Sequence, residues 1–307
     1  MSKLGLALGG GGARGLAHIG VLKVIESEGI KINCITGCSM GAIIGGLYSY
    51  YGNVKETEDF VRRVINDPKF IDLGIDDLSE DSEKHGKNFF EQFFDYIGTR
   101  LHVLKTLNHP SYFDDDVTNE IYELIPDVPI ENLKIKFSAI ATDLLSGEEI
   151  NFTKGSLRNA IRASSAIPGI FPPVKYQNYF LVDGSASESV PAGKVRWLGA
   201  NRVLAVDVTR NLRTVEEPEN IIEILFRTED ITSYHLSDLR LREADLIIRP
   251  QVKQLTWADF DRIDEIISAG EKAAKDNIKE IKKLVYRGKY LFDIKHHFKK
   301  LGRGTKR

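Results

Sequence analysis

Two stretches of the chain hold residue types that do covalent chemistry. Gly37-Cys38-Ser39-Met40-Gly41 sets a serine between glycines in a G-x-S-x-G pattern. Where a strand leads in and a helix leads out, that pattern turns the serine sharply outward as a nucleophile. Upstream, Gly9-Gly10-Gly11-Gly12-Ala13-Arg14-Gly15 also lies between a strand-like and a helix-like stretch. Glycines there let backbone come close to a ligand, and N–H groups at a helix start face negative charge.

The glycine run has three possible uses. Gly10-x-Gly12-x-x-Gly15 fits a dinucleotide fingerprint, which also expects a carboxylate closing the second strand. The second strand-like stretch, Ile32–Thr36, has none. A phosphate-binding P-loop needs Gly-Lys-Ser/Thr at its end, and here Leu16 follows Gly15. The third use is an oxyanion hole, and Ser39 follows 24 residues after Gly15. Cys38 is adjacent but reads as a small packing residue.

A serine nucleophile needs a proton acceptor. Of the seven histidines, only His235 follows in the order that a Ser…Asp…His hydrolase requires. It sits in a helical stretch with no glycine-rich loop around it, where packing or surface histidines are common. Asp183 closes the apolar run Tyr179–Val182 and precedes Gly184. At the carboxyl end of a buried strand it would share a rim with the nucleophile. An Asp-Gly pair can also do no more than cap a turn.

These residues need a frame, and apolar periodicity supplies it. Leu4–Leu8 and Ile32–Thr36 read as strands, with helices over Leu16–Glu28 and Met40–Tyr50. Strand, helix and strand with so short a linker imply a right-handed parallel crossover. Ile135–Thr142 is a strong strand, and Glu148–Thr153 should pair with it across a Leu145–Gly147 turn. A helix over Leu157–Ser164 and strands at Tyr179–Val182, Arg202–Val208 and Asp245–Arg249 follow. Asn220–Arg242 and Ile263–Val285 read as long helices. The pattern is an α/β domain with a central sheet and helices on both faces.

Composition agrees with a soluble globular chain: of 307 residues, 42% are hydrophobic and 28% charged. A net charge of −2 gives no field to attract nucleic acid, and no nucleic-acid partner is expected. Two cysteines make no disulfide framework, and reduced thiols fit a cytoplasmic protein. The N-terminus lacks the apolar length of a secretory signal. Ile32–Val54 is uncharged and long enough to cross a bilayer, but its polar residues and glycines argue against a span. No calcium-loop pattern and no His/Cys cluster of ligand spacing occur, so neither metal nor cofactor is called for.

Four pieces in order resemble the patatin-like phospholipases. They are Gly10–Gly15, Gly37–Gly41, Asp183-Gly184 and the block Ala163-Ser-Ser-Ala-Ile-Pro-Gly-Ile-Phe-Pro-Pro173. The resemblance covers roughly residues 4–210. It implies a three-layer α/β fold with a mainly parallel central sheet, and acyl hydrolysis of phospholipid or other lipid ester without histidine. Carried over by motif, Ser39 is the nucleophile and Asp183 the base. Gly10, Gly11 and Gly12 then line the oxyanion hole, supported by Arg14, Gly15, Gly37, Gly41 and Gly184. Arg14 can bias the site toward anionic lipid or hold its own surroundings by pairing. Ser185 departs from the family, which has Gly or Ala there, and little effect is expected. The competing functions are a Ser-His-Asp esterase using His235 and a non-catalytic nucleotide-binding regulatory protein.

Three segments lie outside the resemblance. Residues 70–116 join an acidic run to five aromatics between Phe89 and Tyr96. That composition suits a cap over an apolar site, or a surface insertion with a core of its own. Residues 211–293 read as a helical extension completing the same domain. Residues 294–307 are a basic tail with Lys295, Lys299, Lys300, Arg303, Lys306 and Arg307. Such a tail fits peripheral contact with an anionic membrane, at the inner face in a cytoplasmic protein, or a solvated end.

Overall fold

The apolar run Leu4–Leu8 forms strand β1, buried along its whole length. A parallel strand covered on both faces must be apolar on both. In this computed structural model the described residues are 2–75, 111–209, 212, 217–218, 221–252 and 255–286. The aromatic run of the expected cap and the basic tail lie outside them.

After β1, a 3-10 turn at Gly12–Leu16 leads into α1 (Ala17–Ser27), β2 (Ile32–Cys38) and α2 (Met40–Tyr51). Helices α3 (Val54–Ile65) and α4 (Pro68–Ile71) complete the first half. Asn53 caps α3 by accepting from the N–H of Glu56 at 2.8 Å, and Glu56 accepts from Asn53 in return. Beyond residue 110 come α5 (Asp115–Tyr122), β3 (Lys136–Asp143), β4 (Glu149–Phe152), α6 (Leu157–Ser164), β5 (Val174–Tyr176) and β6 (Tyr179–Asp183). The chain continues with α7 (Lys194–Trp197), β7 (Arg202–Val206), α8 (Ile221–Leu241), β8 (Leu246–Ile248) and α9 (Ile263–Asp276).

The sheet is mixed, with helices on both sides. Its eight strands pair along the path β5-β6-β3-β2-β1-β7-β8, and β4 also pairs with β3, on the edge opposite β2 and β6. β1, β2, β3, β7 and β8 are mutually parallel, while β4 and β6 run antiparallel to β3. The charge-free stretch from Ile32 belongs to this core as β2 and α2. Among the described residues no helix is long and apolar enough to cross a membrane.

The C-terminal helix packs on the first one backbone to backbone. A Cβ on Gly20 would strike the carbonyl of Ile267, and one on Gly270 would strike that of Ala17. Lys23 bridges Glu58 and Glu271 at the edge of this contact, 3.1 Å from each. One sequence expectation needs correction here. The helix expected over Ile263–Val285 is broken at Asn277, and a second helix covers 278–286. The Asn277 side chain donates to the carbonyl of Ala273 at 2.8 Å, which competes with the helical bond at that point.

Candidate active site

Strand β3 brings the two chemical pieces together. β2 lies along one edge of β3 and ends with Cys38 opposite Ile140. β4 occupies the other edge over Ala139–Thr142. β6 therefore docks on the β2 edge just past the end of β2, with Asp183 opposite Ala141. Ser39, which follows Cys38, and Asp183 thus stand at adjacent positions along one edge. β6 approaches antiparallel, and Asp183 at its end stops beside Ser39.

Ser39 has φ 52° and ψ −125° between β2 and α2, a left-handed conformation that costs a non-glycine residue energy. The surroundings hold it there. Its N–H is shared between the carbonyl and the hydroxyl of Ser164, both at 3.1 Å. Its carbonyl accepts from Ala42 at 2.8 Å and Ile43 at 3.1 Å, starting α2. The flanking glycines are required by close approach. A Cβ on Gly37 would strike the carbonyl of Gly41, and one on Gly41 would strike that of Leu8. Gly15 leaves room for the Met40 side chain in the same way.

Asp183 is 1% exposed. Its Oδ1 accepts from the N–H of Ser185 at 2.8 Å and from the Cys38 thiol at 3.6 Å. The Ser185 bond uses backbone, so serine in place of Gly or Ala keeps it. Burial pushes the Asp183 carboxyl above the usual carboxylate range, and the nearby Ser39 hydroxyl is the foremost group pulling it back. Even so, Oδ2 has no hydrogen-bond partner among the described residues. Ser39 and Asp183 are therefore close but not closed into a full hydrogen bond, which is common for catalytic pairs before substrate binds. Gly184 lets this turn pass Cys38; a Cβ there would strike the carbonyl of Ile140. Burial also raises the Cys38 thiol well above its usual range, so it stays protonated and donates.

The glycine loop passes directly beside Ser39. A Cβ on Gly10 would lie 3.1 Å from that of Ser39. Of the glycines expected to line an oxyanion hole, Gly10 does not offer its own N–H. Its N–H is committed to the carbonyl of Ser189 at 2.9 Å. The N–H groups of Gly11 and Gly12 have no acceptor among the described residues. Arg14 reaches back to the carbonyl of Gly11 at 3.2 Å, so it supports its own loop.

Ser39 opens onto an apolar cavity of about 120 Å³. Ile43 and Leu47 on α2, Phe60 and Val64 on α3, Phe171 and Trp257 line it. Among the described residues no lysine or arginine does. That wall suits hydrocarbon. His235 is exposed on α8 in edge contact with the Tyr234 ring, and is absent from the cavity wall. Among the described residues no group of His, Cys, Asp and Glu is arranged to hold a metal ion.

Sequence reasoning missed the bracket that ties the site together. Ser164 holds the Ser39 peptide, and the carbonyl of Ala166 accepts the N–H of Asp183 at 2.9 Å. Between them Ser165 accepts from or donates to the Tyr122 hydroxyl at 2.7 Å. The Ala163–Pro173 block was visible as a motif, but its role is a set of contacts far apart in sequence.

Comparison with known proteins bears on this geometry. The family model for patatin-like phospholipases matches residues 6–195. An uncharacterised NTE family protein of Mycobacterium bovis is 31% identical over 214 residues, covering 67% of this chain and 49% of that protein. Neuropathy target esterase sws of Drosophila melanogaster is 32% identical over 212 residues, covering 67% of this chain and 13% of that protein. Lysophospholipase nte1 of Aspergillus terreus is 26% identical over 307 residues, covering 91% and 18%. The chain thus spans half or less of the length of these relatives. Among solved structures, VipD from Legionella pneumophila aligns with TM-score 0.45 at 14% identity, covering 91% of this chain and 67% of that one. The matched residues 6–195 hold the glycine loop, the Ser39 elbow, the Ser164 bracket and Asp183, and the chain belongs to the patatin-like phospholipase family.

Proposed function

We propose that the protein is a serine lipid acyl hydrolase of the phospholipase A or lysophospholipase type, working through Ser39 and Asp183. The observation that carries this reading is the strained Ser39 beside a buried carboxylate at the edge of an apolar cavity. Family membership and relatives named as lysophospholipase and esterase support it.

Ser39 Oγ attacks the ester carbonyl carbon while its proton passes to Asp183. The carbonyl oxygen becomes an oxyanion, received by the N–H groups of Gly11 and Gly12. Each such donor is worth roughly a hundred- to a thousandfold in rate. Collapse breaks the carbon–oxygen bond, and Asp183 returns the proton to the leaving alcohol. Water then gives a proton to Asp183 and attacks the acyl-serine. The fatty acid leaves and Ser39 regains its proton. A raised carboxyl is a better base than an ordinary one near neutral pH. The apolar cavity receives the acyl chain.

A substrate of this kind is met at a lipid surface. The basic residues after Asp293 fit such contact with anionic lipid. Vesicle sedimentation of the full chain against one ending at Asp293 tests that part. The central test is labelling with a fluorophosphonate. Ser39 should be modified in the parent and nothing in Ser39→Ala. Folded parent protein that takes no label would overturn the reading.

A further inference from the structure

A residue that no step of the hydrolysis uses anchors the glycine loop. His18 is the second residue of α1 and is fully buried. Its Nε2 lies 2.8 Å from the carbonyl oxygen of Gly9. A carbonyl only accepts, so the proton of this pair sits on Nε2. Burial holds the imidazole down to a pKa of about 4, so the ring is neutral at ordinary pH. Nδ1 is then a bare lone pair, buried with no hydrogen-bond partner among the described residues. Leaving such a group unpaired destabilises the fold. An apolar side chain at this position would avoid that cost, and would also lose the bond to Gly9.

What the bond holds is the first peptide of the loop. The N–H of Gly9 donates to Val206 at 3.1 Å, and the N–H of Gly10 donates to Ser189 at 2.9 Å. With His18 on the Gly9 carbonyl, the Gly9–Gly10 peptide is fixed at both its oxygen and its nitrogen. Gly11 and Gly12 continue from that plane; their N–H groups have no acceptor among the described residues, and Gly12 lines the cavity with Ser39. Glycines offer no Cβ to hold a peptide orientation by sterics. A hydrogen bond from outside the loop must do it. The tolerance is tight, because an oxyanion donor must end 2.7–3.1 Å from the developing charge.

We propose that His18 is a positioning residue for the oxyanion loop: through its Nε2–H on the Gly9 carbonyl it aims the N–H groups of Gly11 and Gly12 at the carbonyl under attack by Ser39. This rests on the hydrolase reading. The experiment measures ester hydrolysis and the rate of fluorophosphonate inactivation in the parent, His18→Leu and His18→Gln. Phosphonylation also builds charge on an oxygen, so it reads the same hole. His18→Leu should lose roughly a hundredfold in kcat with KM held within about threefold, and inactivation should slow in parallel. His18→Gln, which restores an N–H donor, should recover at least a tenth of the parent kcat. A leucine variant with parental kcat overturns the proposal, as does a loss confined to KM or a glutamine variant as impaired as the leucine one. Should the leucine variant fail to fold, ring 15N NMR of the parent decides. A neutral ring protonated on Nε2 supports the proposal, and a proton on Nδ1 overturns it. A parent that neither hydrolyses ester nor takes label refutes the hydrolase reading itself, which separates the two failures.

Discussion

Asp183→Asn removes the proposed base and changes almost nothing else in shape. The side-chain oxygen of asparagine can keep the bonds that Oδ1 accepts from Ser185 and Cys38. The amide nitrogen then replaces Oδ2, the oxygen without a partner. Where a carboxylate could take the Ser39 proton, the amide can only donate. Removing a general base costs roughly 10²–10⁴ in rate. In the proposed two-residue mechanism no third member shares the task, so the upper half of that range is expected in kcat. Stability should move the other way. Burial raises the Asp183 carboxyl, so the ionised form is stabilised less in the fold than in water. Above that raised pKa the charge destabilises the folded state, and a neutral amide relieves it. The variant should therefore melt at a higher temperature than the parent at pH 8. The assay pairs hydrolysis of a long-chain p-nitrophenyl ester with thermal melting of the same samples. Turnover within tenfold of the parent would sink the two-residue mechanism. A lower melting temperature would refute the desolvation argument.

Three further outcomes follow from the same geometry. The acid limb of kcat/KM should lie above the ordinary carboxylate range, activity rising with pH as Asp183 loses its proton; a limb at or below that range would contradict its burial. Glu188 is 1% exposed, and burial raises it to about 7 from 4.5. Lys194 lies 3.9 Å away but pairs more closely with Glu149 at 2.5 Å. The folded state therefore holds the Glu188 proton more tightly, and stability should fall as pH rises from about 4.5 to 7, by up to about 3 kcal/mol. Denaturant titrations across that window should show the fall, and Glu188→Gln should flatten it. Leu47 is fully buried in the cavity wall, two turns of α2 from Ser39, or about 12 Å along the helix. One membrane leaflet is about 15 Å of hydrocarbon, so a full-length chain should reach it. Leu47→Trp should lower turnover of long-chain esters by about tenfold or more relative to butyrate. An unchanged chain-length profile would place the acyl chain elsewhere.

The sequence by itself determined the local pieces. Apolar runs with turn signals placed β1, β2, β3 and β7 to within two residues at each end, because strand and helix periods are properties of neighbours along the chain. The Ser39 elbow and the glycine loop were legible for the same reason: each is a short-range demand for a residue without a Cβ, or for an exposed nucleophile, at a fixed spacing. Asp183 was legible as a residue at a strand end, but not which edge that strand takes. Only tertiary structure decided that β6 takes over the edge of β3 where β2 stops. It also decided that Ser189 claims the Gly10 N–H, that Ser164 and Ala166 bracket Ser39 and Asp183, and that α2 and α3 wall the cavity. Each is a hydrogen bond or contact between segments far apart along the chain. Which of many possible registers forms is settled by packing the whole core at once, and no window of sequence contains that information.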